Sequence, residues 1–231
     1  MRTAFKTASS VEPTPRAAAE LTQLIKQRAT LEGFEKVGIA RAQPLTAEAL
    51  RLNEWLIRGY HGNMEWMGRN RELRTNPSSL FPGAKSVVVV AKNYYTPDQH
   101  SGDAGTGKVS RYAWGDDYHD VIGAKLRSLL AWIKDQAPEV EGKVCVDIQP
   151  MMDKAWAVRA GLGWLGKHTN VITPELGSWI FIGELLLNVE LDYDEDVIED
   201  HCGTCTLCID ACPTQAITEP YVLDSNRCIS Y

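Results

Sequence analysis

Four cysteines near the carboxyl-terminal end of the chain have the spacing of iron–sulfur ligands. Cys202, Cys205, Cys208 and Cys212 are separated by two, two and three residues, and Pro213 follows the last of them. Three thiolates this close in sequence can bind one [4Fe–4S] cubane, while the fourth points away and can ligate a second cluster. Zinc is the main alternative, but its ligands usually come as two separated pairs. The spacing therefore predicts an iron–sulfur centre that carries electrons.

Two further cysteines need separate interpretations. Cys228 follows Cys212 by sixteen residues and is predicted to bind the second cluster, the alternative being a packed core thiol. Cys145 lies within an apolar stretch and is predicted to be a buried structural thiol. Because each cubane takes four thiolates, the five cysteines of the C-terminal segment are too few for two clusters. We therefore expect this chain to stop part-way through its cluster domain.

An aspartate and a histidine are candidates for proton transfer or cofactor contact. Asp147 is the last residue of a predicted strand, where burial would keep its carboxyl group protonated and able to donate. The alternative for Asp147 is a capping role in the turn that follows. His168 suits either a cofactor contact or a hydrogen-bonded core position, and the residues alone favour the core position.

The pattern of apolar residues predicts the elements that must hold these side chains. Helical spacing predicts helices, and short apolar runs predict strands. The predicted helices cover residues 17–33, 46–60, 117–136 and 153–160, and the predicted strands cover residues 36–40, 86–91, 143–147 and 178–189. Four consecutive valines in the second strand predict burial on both faces of a sheet. Strands that alternate with helices favour a mixed α/β or α+β sandwich.

Composition divides the chain into four parts. Residues 1–16 are rich in Ser, Thr and Pro and are predicted to be a flexible tail, and residues 17–191 are predicted to form an α/β core. Residues 192–200 are acidic, without helical or strand periodicity, and are predicted to be a linker. Residues 201–231 hold the cysteine motif and are predicted to form a partial ferredoxin-type domain.

The bulk composition excludes few functions. The chain has 231 residues, of which 44% are hydrophobic and 23% charged, and a net charge of −6. It has no apolar stretch of the ~18 residues that a membrane span requires, and its N-terminal part lacks the apolar region of a secretory signal. A negative net charge gives no general attraction for nucleic acid, although local basic patches remain. Clustered cysteines without a secretory signal predict a reducing cytoplasm and no membrane partner.

Longer strings of the sequence carry a family resemblance. They are GNMEWM at 62–67, PGAKSV at 82–87, SRYAWGDDYH at 110–119, KAWAVRAGLGWLGKHTN at 154–170, GEL at 183–185 and RCISY at 227–231. Together with the cysteine motif, they strongly resemble the tRNA epoxyqueuosine reductases, and the similarity runs from about residue 17 to the last residue. Reductive dehalogenases resemble this family in the core and the cluster module.

The resemblance implies a cobalamin-dependent iron–sulfur reductase. This family reduces the epoxide of epoxyqueuosine at the wobble position of a tRNA anticodon, which yields queuosine. The implied fold is a corrinoid-binding α/β core, then a two-cluster ferredoxin-like module, then a helical-repeat region that helps to bind tRNA. The implied partners are a tRNA that carries epoxyqueuosine and a low-potential electron donor such as flavodoxin or ferredoxin.

The resemblance also assigns the cysteines to clusters. Cys202, Cys205 and Cys208 match ligands of the first cluster. Cys212 and Cys228 match ligands of the second cluster. Both clusters would then lie on the electron path to cobalamin.

Other residues take their implied roles from the corrinoid site. Asp147 matches the family's proposed proton donor over the cobalt, which favours the catalytic interpretation over the capping one. Segments around Arg71, Ser110, His168 and Ser230 are implied to contribute to the corrinoid pocket.

The sequence departs from the family pattern in three places. It has DIQP at 147–150 where the family often has Asp-Thr-Ala-Pro or Asp-Ser-Ala-Pro, and Asp153 stands where a glutamate is common. The downstream cysteines and any tRNA-binding repeat are absent from these residues. Two rival interpretations remain: a ferredoxin fused to a structural domain, which leaves the long strings unexplained, and an inactive truncated product that completes neither cluster.

Overall fold

The computed structural model describes residues 15–194, 196 and 198–231. The predicted tail, residues 1–16, lies outside this part except for its last two residues, which begin the first helix. The helices are α1 Pro15–Leu31, α2 Thr46–Ile57, α3 Trp66–Arg69, α4 Arg71–Thr75, α5 Pro77–Leu80, α6 Tyr118–Gln136, α7 Asp153–Arg159 and α8 Leu207–Asp210. The strands are β1 Lys36–Arg41, β2 Ser86–Asn93, β3 Gly142–Cys145, β4 Trp164–Leu165, β5 Val171–Ile172, β6 Ile180–Leu187, β7 Ile217–Glu219 and β8 Val222–Leu223.

The main sheet has four strands in the order β1-β2-β6-β3, and each neighbouring pair is antiparallel. This arrangement confirms the mixed α/β prediction in its α+β form. Strand β2 is central, and its first six residues are buried, as the run of valines predicted. An apolar strand of this kind is stable only when both faces of the sheet are covered.

Helices cover the two faces of the sheet. On one face, Ile25 of α1 and Leu126 of α6 pack against Val88 and Leu185. On the other face, α7 contributes Trp156, which is 1% exposed. The result is a sandwich of helix, sheet and helix, and the start of α7 lies directly against the sheet.

The end of strand β3 differs from the prediction. We predicted a strand that ends on Asp147, but the strand ends at Cys145, which is buried as predicted. Strand β3 is an edge strand that pairs only with β6, and its register contains four residue pairs. Once that pairing stops, the backbone is free to turn, and Asp147 belongs to the turn.

The predicted linker begins in close contact with the core. The Asp194 carboxylate accepts a hydrogen bond from Lys26 Nζ at 2.5 Å and another from the backbone N–H of Ile39 at 2.8 Å. The N–H of Asp192 donates to Thr22 Oγ1 at 2.9 Å. These contacts attach the start of the acidic segment to α1 and β1.

The C-terminal segment packs on α2 and the loop after it. The indole N–H of Trp55 donates to the carbonyl of Leu223 at 2.6 Å, and the N–H of Ser225 donates to the carbonyl of Tyr60 at 2.9 Å. The hairpin of β7 and β8 is thereby fixed beside the core. Within the described residues, none of the helices combines the length and the hydrophobicity that a membrane crossing requires.

Candidate functional site

Asp147 lies on a strained turn after β3. Its φ angle is +53°, in the left-handed region that costs a residue with a side chain about 1–2 kcal/mol. The turn is held by Gln149, whose side-chain oxygen accepts from the N–H of Val146 at 2.8 Å, and by the N–H of Ile148, which donates to the carbonyl of Val146 at 2.5 Å. Strain of this kind is often retained where a side chain must be presented for function.

The N-terminus of α6 supplies the partners of the Asp147 carboxylate. Asp117 caps this helix by accepting from the N–H of His119, so Tyr118 and His119 are held at its first turn. The Tyr118 hydroxyl donates to Asp147 Oδ2, and His119 Nε2 lies 3.4 Å from the same oxygen. His119 Nδ1 lies 2.7 Å from Asp117. Burial, together with the Asp147 carboxylate, raises the pKa of Tyr118, so this hydroxyl remains a hydrogen-bond donor.

The predicted burial of Asp147 is wrong. Its side chain is 57% exposed, because the turn carries it beyond the edge of the sheet. Two further carboxyl groups lie behind it, at the partly buried Asp153 and the fully buried Glu184. Asp153 Oδ1 is inaccessible and without a hydrogen-bond partner, and Glu184 is 0% exposed with neither oxygen paired.

Both buried carboxyl groups hold their protons more tightly than ordinary carboxyls. Burial raises the pKa of Asp153 to about 7, and the charge of Asp147 adds to this shift. Burial raises the pKa of Glu184 well above its usual range, and Asp153 adds to it. The sequence did not predict a role for Glu184, although an ionisable residue within the apolar run IFIGELLL was a signal of this site.

The four residues expected around a corrinoid belong to different segments of the chain, and three of them are exposed. Arg71 is exposed and donates from Nη1 to Asn53 Oδ1 at 2.8 Å. Ser110 is exposed, before the short 3-10 turn Arg111–Ala113. Ser230 is exposed beside the C-terminal residue of the chain.

His168 is the member of this set with a link to the acid cluster. It is half-buried, and its Nδ1 accepts from the N–H of Asn170 at 3.1 Å. The Asn170 side chain in turn accepts from Lys154 Nζ at 2.7 Å. Lys154 follows Asp153 at the start of α7, so a short chain of contacts joins His168 to the buried carboxyl groups.

The cysteine motif forms a loop around the short helix α8. All six cysteines are free thiols, and those of the C-terminal segment are exposed or half-buried. Cys212 Sγ accepts from the N–H of Ala216 at 3.2 Å. Backbone N–H groups of Ile217 and Ala216 lower the pKa of Cys212 to about 7, which favours the thiolate that binds iron.

No three His, Cys, Asp or Glu side chains of the described residues form a group that could hold one metal ion. The cluster ligands named above therefore remain a prediction at the level of individual residues.

Lys167 connects the core to the cysteine loop. Its side chain is largely buried, at 8% exposed, and its Nζ donates to the carbonyls of Gly203 at 2.6 Å and Cys205 at 2.9 Å. Its own carbonyl accepts from the N–H of Tyr221 at 3.0 Å. The sequence did not predict this role of Lys167, because no periodicity or spacing signals it.

An arginine surrounded by aromatic rings lies on the surface. The Arg111 guanidinium carbon lies 5.6 Å from the ring centre of Tyr95, 5.5 Å from Trp114 and 5.4 Å from Trp179. Such contacts orient an arginine and leave ring faces available for stacking.

Two family models match the chain. The model "Epoxyqueuosine reductase QueG, DUF1730" matches residues 74–148, and "4Fe-4S double cluster binding domain" matches residues 201–231. The second match confirms the prediction of iron–sulfur clusters.

Curated relatives match over most of the chain. The epoxyqueuosine reductase of Synechocystis sp. is 51% identical over 183 residues, which are 79% of this chain and 62% of the relative. That of Cellulophaga algicola is 49% identical over 210 residues, which are 91% of this chain and 68% of the relative. These matches confirm the resemblance.

Solved structures have the same fold. A selenomethionine-labelled epoxyqueuosine reductase matches with a TM-score of 0.85 and 35% identity over 91% of this chain and 56% of that one. An epoxyqueuosine reductase in complex with an epoxyqueuosine-modified tRNA-Tyr stem loop matches with a TM-score of 0.81 and 34% identity. The match covers 91% of this chain and 56% of that one.

A structure of the Bacillus subtilis epoxyqueuosine reductase matches with a TM-score of 0.84 and 34% identity, over 91% of this chain and 56% of that one. In that structure the catalytic aspartate loop is swung out of the active site. The reductive dehalogenase NpRdhA shares the fold alone. It matches with a TM-score of 0.58 and 16% identity over 95% of this chain and 31% of that one. The expected mixed α/β fold, shared by epoxyqueuosine reductases and reductive dehalogenases, is thereby confirmed.

Proposed function

The chain belongs to the epoxyqueuosine reductase family, and on that premise we propose that it reduces epoxyqueuosine to queuosine at the wobble position of a tRNA anticodon. The observation that carries the proposal is 49% identity to a named reductase over 91% of this chain. The chain spans 62% of the Synechocystis relative and 56% of the selenomethionine-labelled structure. The proposal therefore concerns the reaction to which these residues contribute the core.

The residues of the cysteine loop suit iron–sulfur clusters. We assign Cys202, Cys205 and Cys208 to one cluster, and Cys212 and Cys228 to the other. The match to a double cluster domain supports this assignment. So do the backbone N–H groups directed at Cys212, because such hydrogen bonds stabilise thiolate sulfur. The clusters would take electrons one at a time from a low-potential donor, for which flavodoxin or ferredoxin is suitable.

The surface around Asp147 suits a large apolar cofactor. Ile148 is 77% exposed directly after Asp147, and an apolar side chain held in water beside a carboxylate is typical of a ligand surface. We assign cobalamin to this surface, with contacts from the segments of Arg71, Ser110, His168 and Ser230. When bound, cobalamin would supply the low-potential electron transfer that amino-acid side chains lack.

Asp147 is suited to be the proton donor. Opening an epoxide develops negative charge on oxygen, and an acid positioned beside that oxygen stabilises it. The Tyr118 hydroxyl and the His119 ring hold one oxygen of Asp147, which leaves its other oxygen free for substrate. The swung-out aspartate loop of the Bacillus subtilis relative supports a turn that moves between an exposed and a covered position.

The substrate would be a tRNA anticodon loop in the cytoplasm. Unpaired bases are recognised by stacking on aromatic rings and arginine planes. Arg111, Tyr95 and Trp179 place an arginine plane and aromatic rings on one surface. Tyr95 is 51% exposed. This local group permits RNA binding despite the net charge of −6.

The proposal is tested by assay of the anaerobically purified protein. Iron, sulfide and cobalamin are supplied. Because five cysteines are too few for two clusters, the chemical reductant is one that reduces bound cobalamin directly, and the epoxyqueuosine-modified stem loop is digested to nucleosides after the reaction. We expect queuosine from the wild-type protein and a loss of about 10²-fold or more in Asp147→Asn. Asp135→Asn, at an exposed position near the end of α6, is the matched control. Electron transfer without binding of cobalamin or the stem loop would instead favour a ferredoxin.

A further inference from the structure

Glu184 is a fully buried carboxyl group that the proposed function does not use. It is 0% exposed, and neither of its oxygens has a hydrogen-bond partner among the described residues. An ionised carboxylate without a partner is strongly unfavourable in such a position, so the group is held as a neutral acid. Buried acids without a packing or pairing role are often functional.

The fold brings Glu184 and Asp153 together from two elements. Glu184 lies in the central part of β6, opposite Val89 on β2 and Cys145 on β3. Helix α7 covers this face of the sheet and begins at Asp153. The two carboxyl groups therefore meet between the sheet and the first turn of α7. Burial raises the pKa of both, and Asp153 raises the pKa of Glu184 further.

Charges from several elements act on Asp153. Burial and the charge of Asp147 disfavour its ionised form, while Glu184, Lys154 and Arg74 favour it. Burial is the largest of these influences, and together they bring the pKa of Asp153 to about 7. The titratable or charged groups around the pair are Arg74 on α4, Tyr118 on α6, Cys145 on β3, Asp147 after β3, and Lys154 on α7.

The reaction needs more protons than Asp147 can hold. Removing an epoxide oxygen as water consumes two electrons and two protons, and a carboxylic acid gives one proton before it must be recharged. We propose that Asp153, with Glu184 held neutral behind it, recharges Asp147 with the second proton. This inference rests on the proposed function. In the step, the O–H bond of Asp153 breaks and an O–H bond forms on Asp147.

After this step Asp153 remains as a carboxylate. Lys154 and Arg74 stabilise that charge, and Glu184 keeps its proton because a second anion in the buried pair is unfavourable. Solvent restores the proton of Asp153 between turnovers. The two electrons of the reaction come from the external reductant. The proton transfer between the two aspartates itself involves no change of oxidation state.

Infrared spectroscopy of the 231-residue chain tests the protonation states without substrate. The carbonyl stretch of a protonated acid is separate from carboxylate bands. We expect one acid band that persists at about pH 8 and is absent in Glu184→Gln, and a second that disappears between about pH 6 and 8 and is absent in Asp153→Asn. Glu139→Gln, at an exposed position, should retain both bands. If Glu184→Gln fails to fold, Glu184→Leu removes the acid without leaving a buried polar group and should lose the same band.

Turnover of the reconstituted protein tests the relay. With the modified stem loop, Asp153→Asn should lower kcat by about tenfold or more, leave KM unchanged and lose the pH dependence near neutrality, while Glu139→Gln behaves as wild type. A wild-type pH profile in Asp153→Asn, or absence of both acid bands with turnover intact, would overturn the relay alone. Absence of turnover in the wild-type protein would overturn the proposed function and the relay with it.

Discussion

Asp147 and Asp153 have different environments although only a short turn separates them. Asp147 is turned outwards at a positive φ angle, while one oxygen of Asp153 is sealed against the sheet beside Glu184. A sequence pattern that marks both as acidic residues near the end of a strand does not distinguish them. The difference in exposure between these two aspartates arises from the place where β3 stops.

The raised pKa of Asp153 predicts a pH dependence of stability. Burial raises this pKa from 3.8 to about 7, so between these values the folded state keeps a proton that the unfolded state releases. The free energy of unfolding therefore falls as pH rises through this window. Asp153→Asn should be more stable than wild type above about pH 7, by up to about 4 kcal/mol at about 1.4 kcal/mol for each unit of pKa difference, and equal to it near pH 4. Urea unfolding at both pH values measures the difference, and a difference independent of pH would contradict it.

The elements of the core were largely predictable, since their apolar patterns are long. The valine run of β2 predicts a buried strand, and the prediction is confirmed with two further residues, up to Asn93. Helix α6 was predicted from its helical spacing, and Asp117 proved to be its cap rather than its first residue. The predicted second helix was too long, because α2 ends at Ile57.

Other features depend on partners that are remote in sequence. The antiparallel order β1-β2-β6-β3 is set by which strands meet, and no local pattern encodes it. The exposure of Asp147 follows from the short pairing of β3 with β6. The burial of Glu184 follows from its position between β2 and β3 under α7. In each case the missing information was a contact between elements.

The close packing of β1 against the end of α7 predicts a second mutational effect. A Cβ atom on Gly38 would lie 1.9 Å from the carbonyl oxygen of Ala160 and 2.7 Å from a methyl group of Leu162. Because the first neighbour is backbone, the two elements must move apart. Gly38→Ala should lower the free energy of unfolding by about 1–3 kcal/mol, as measured by urea denaturation. Gly102→Ala, where no atom lies within 4 Å, is the control, and equal effects of the two changes would refute this explanation.

At the scale of the whole molecule, Lys167 joins the core to the cysteine loop. Its ammonium group satisfies two carbonyls of that loop, at Gly203 and Cys205, in a largely buried position. Trp55 fixes the opposite side of the same segment through Leu223. The cluster segment is therefore held at a defined place on the core, which a short electron path requires.

Removal of the Lys167 ammonium group should loosen this attachment. Lys167→Met leaves two carbonyls unpaired and should cost about 1–3 kcal/mol of stability. We also expect faster loss of iron from the reconstituted protein, because the loop that carries Cys205 loses its support. Calorimetry and the kinetics of iron release to a chelator measure the two effects. The control is Lys134→Met, which removes an exposed lysine that pairs with Glu141 at 2.6 Å. It should change the stability and the rate of iron release only slightly. Similar losses in both variants would count against a specific role.

The burial of one thiol among six has a practical consequence for alkylating reagents. Cys145 is 1% exposed, and burial beside Glu184 raises its pKa to about 12, so it stays unreactive in the native protein. The thiols of the C-terminal segment are accessible and should be modified until a cofactor occupies them. Mass spectrometry after brief maleimide treatment would therefore count vacant ligand positions directly, with Cys145 as an internal indicator that the core has stayed folded.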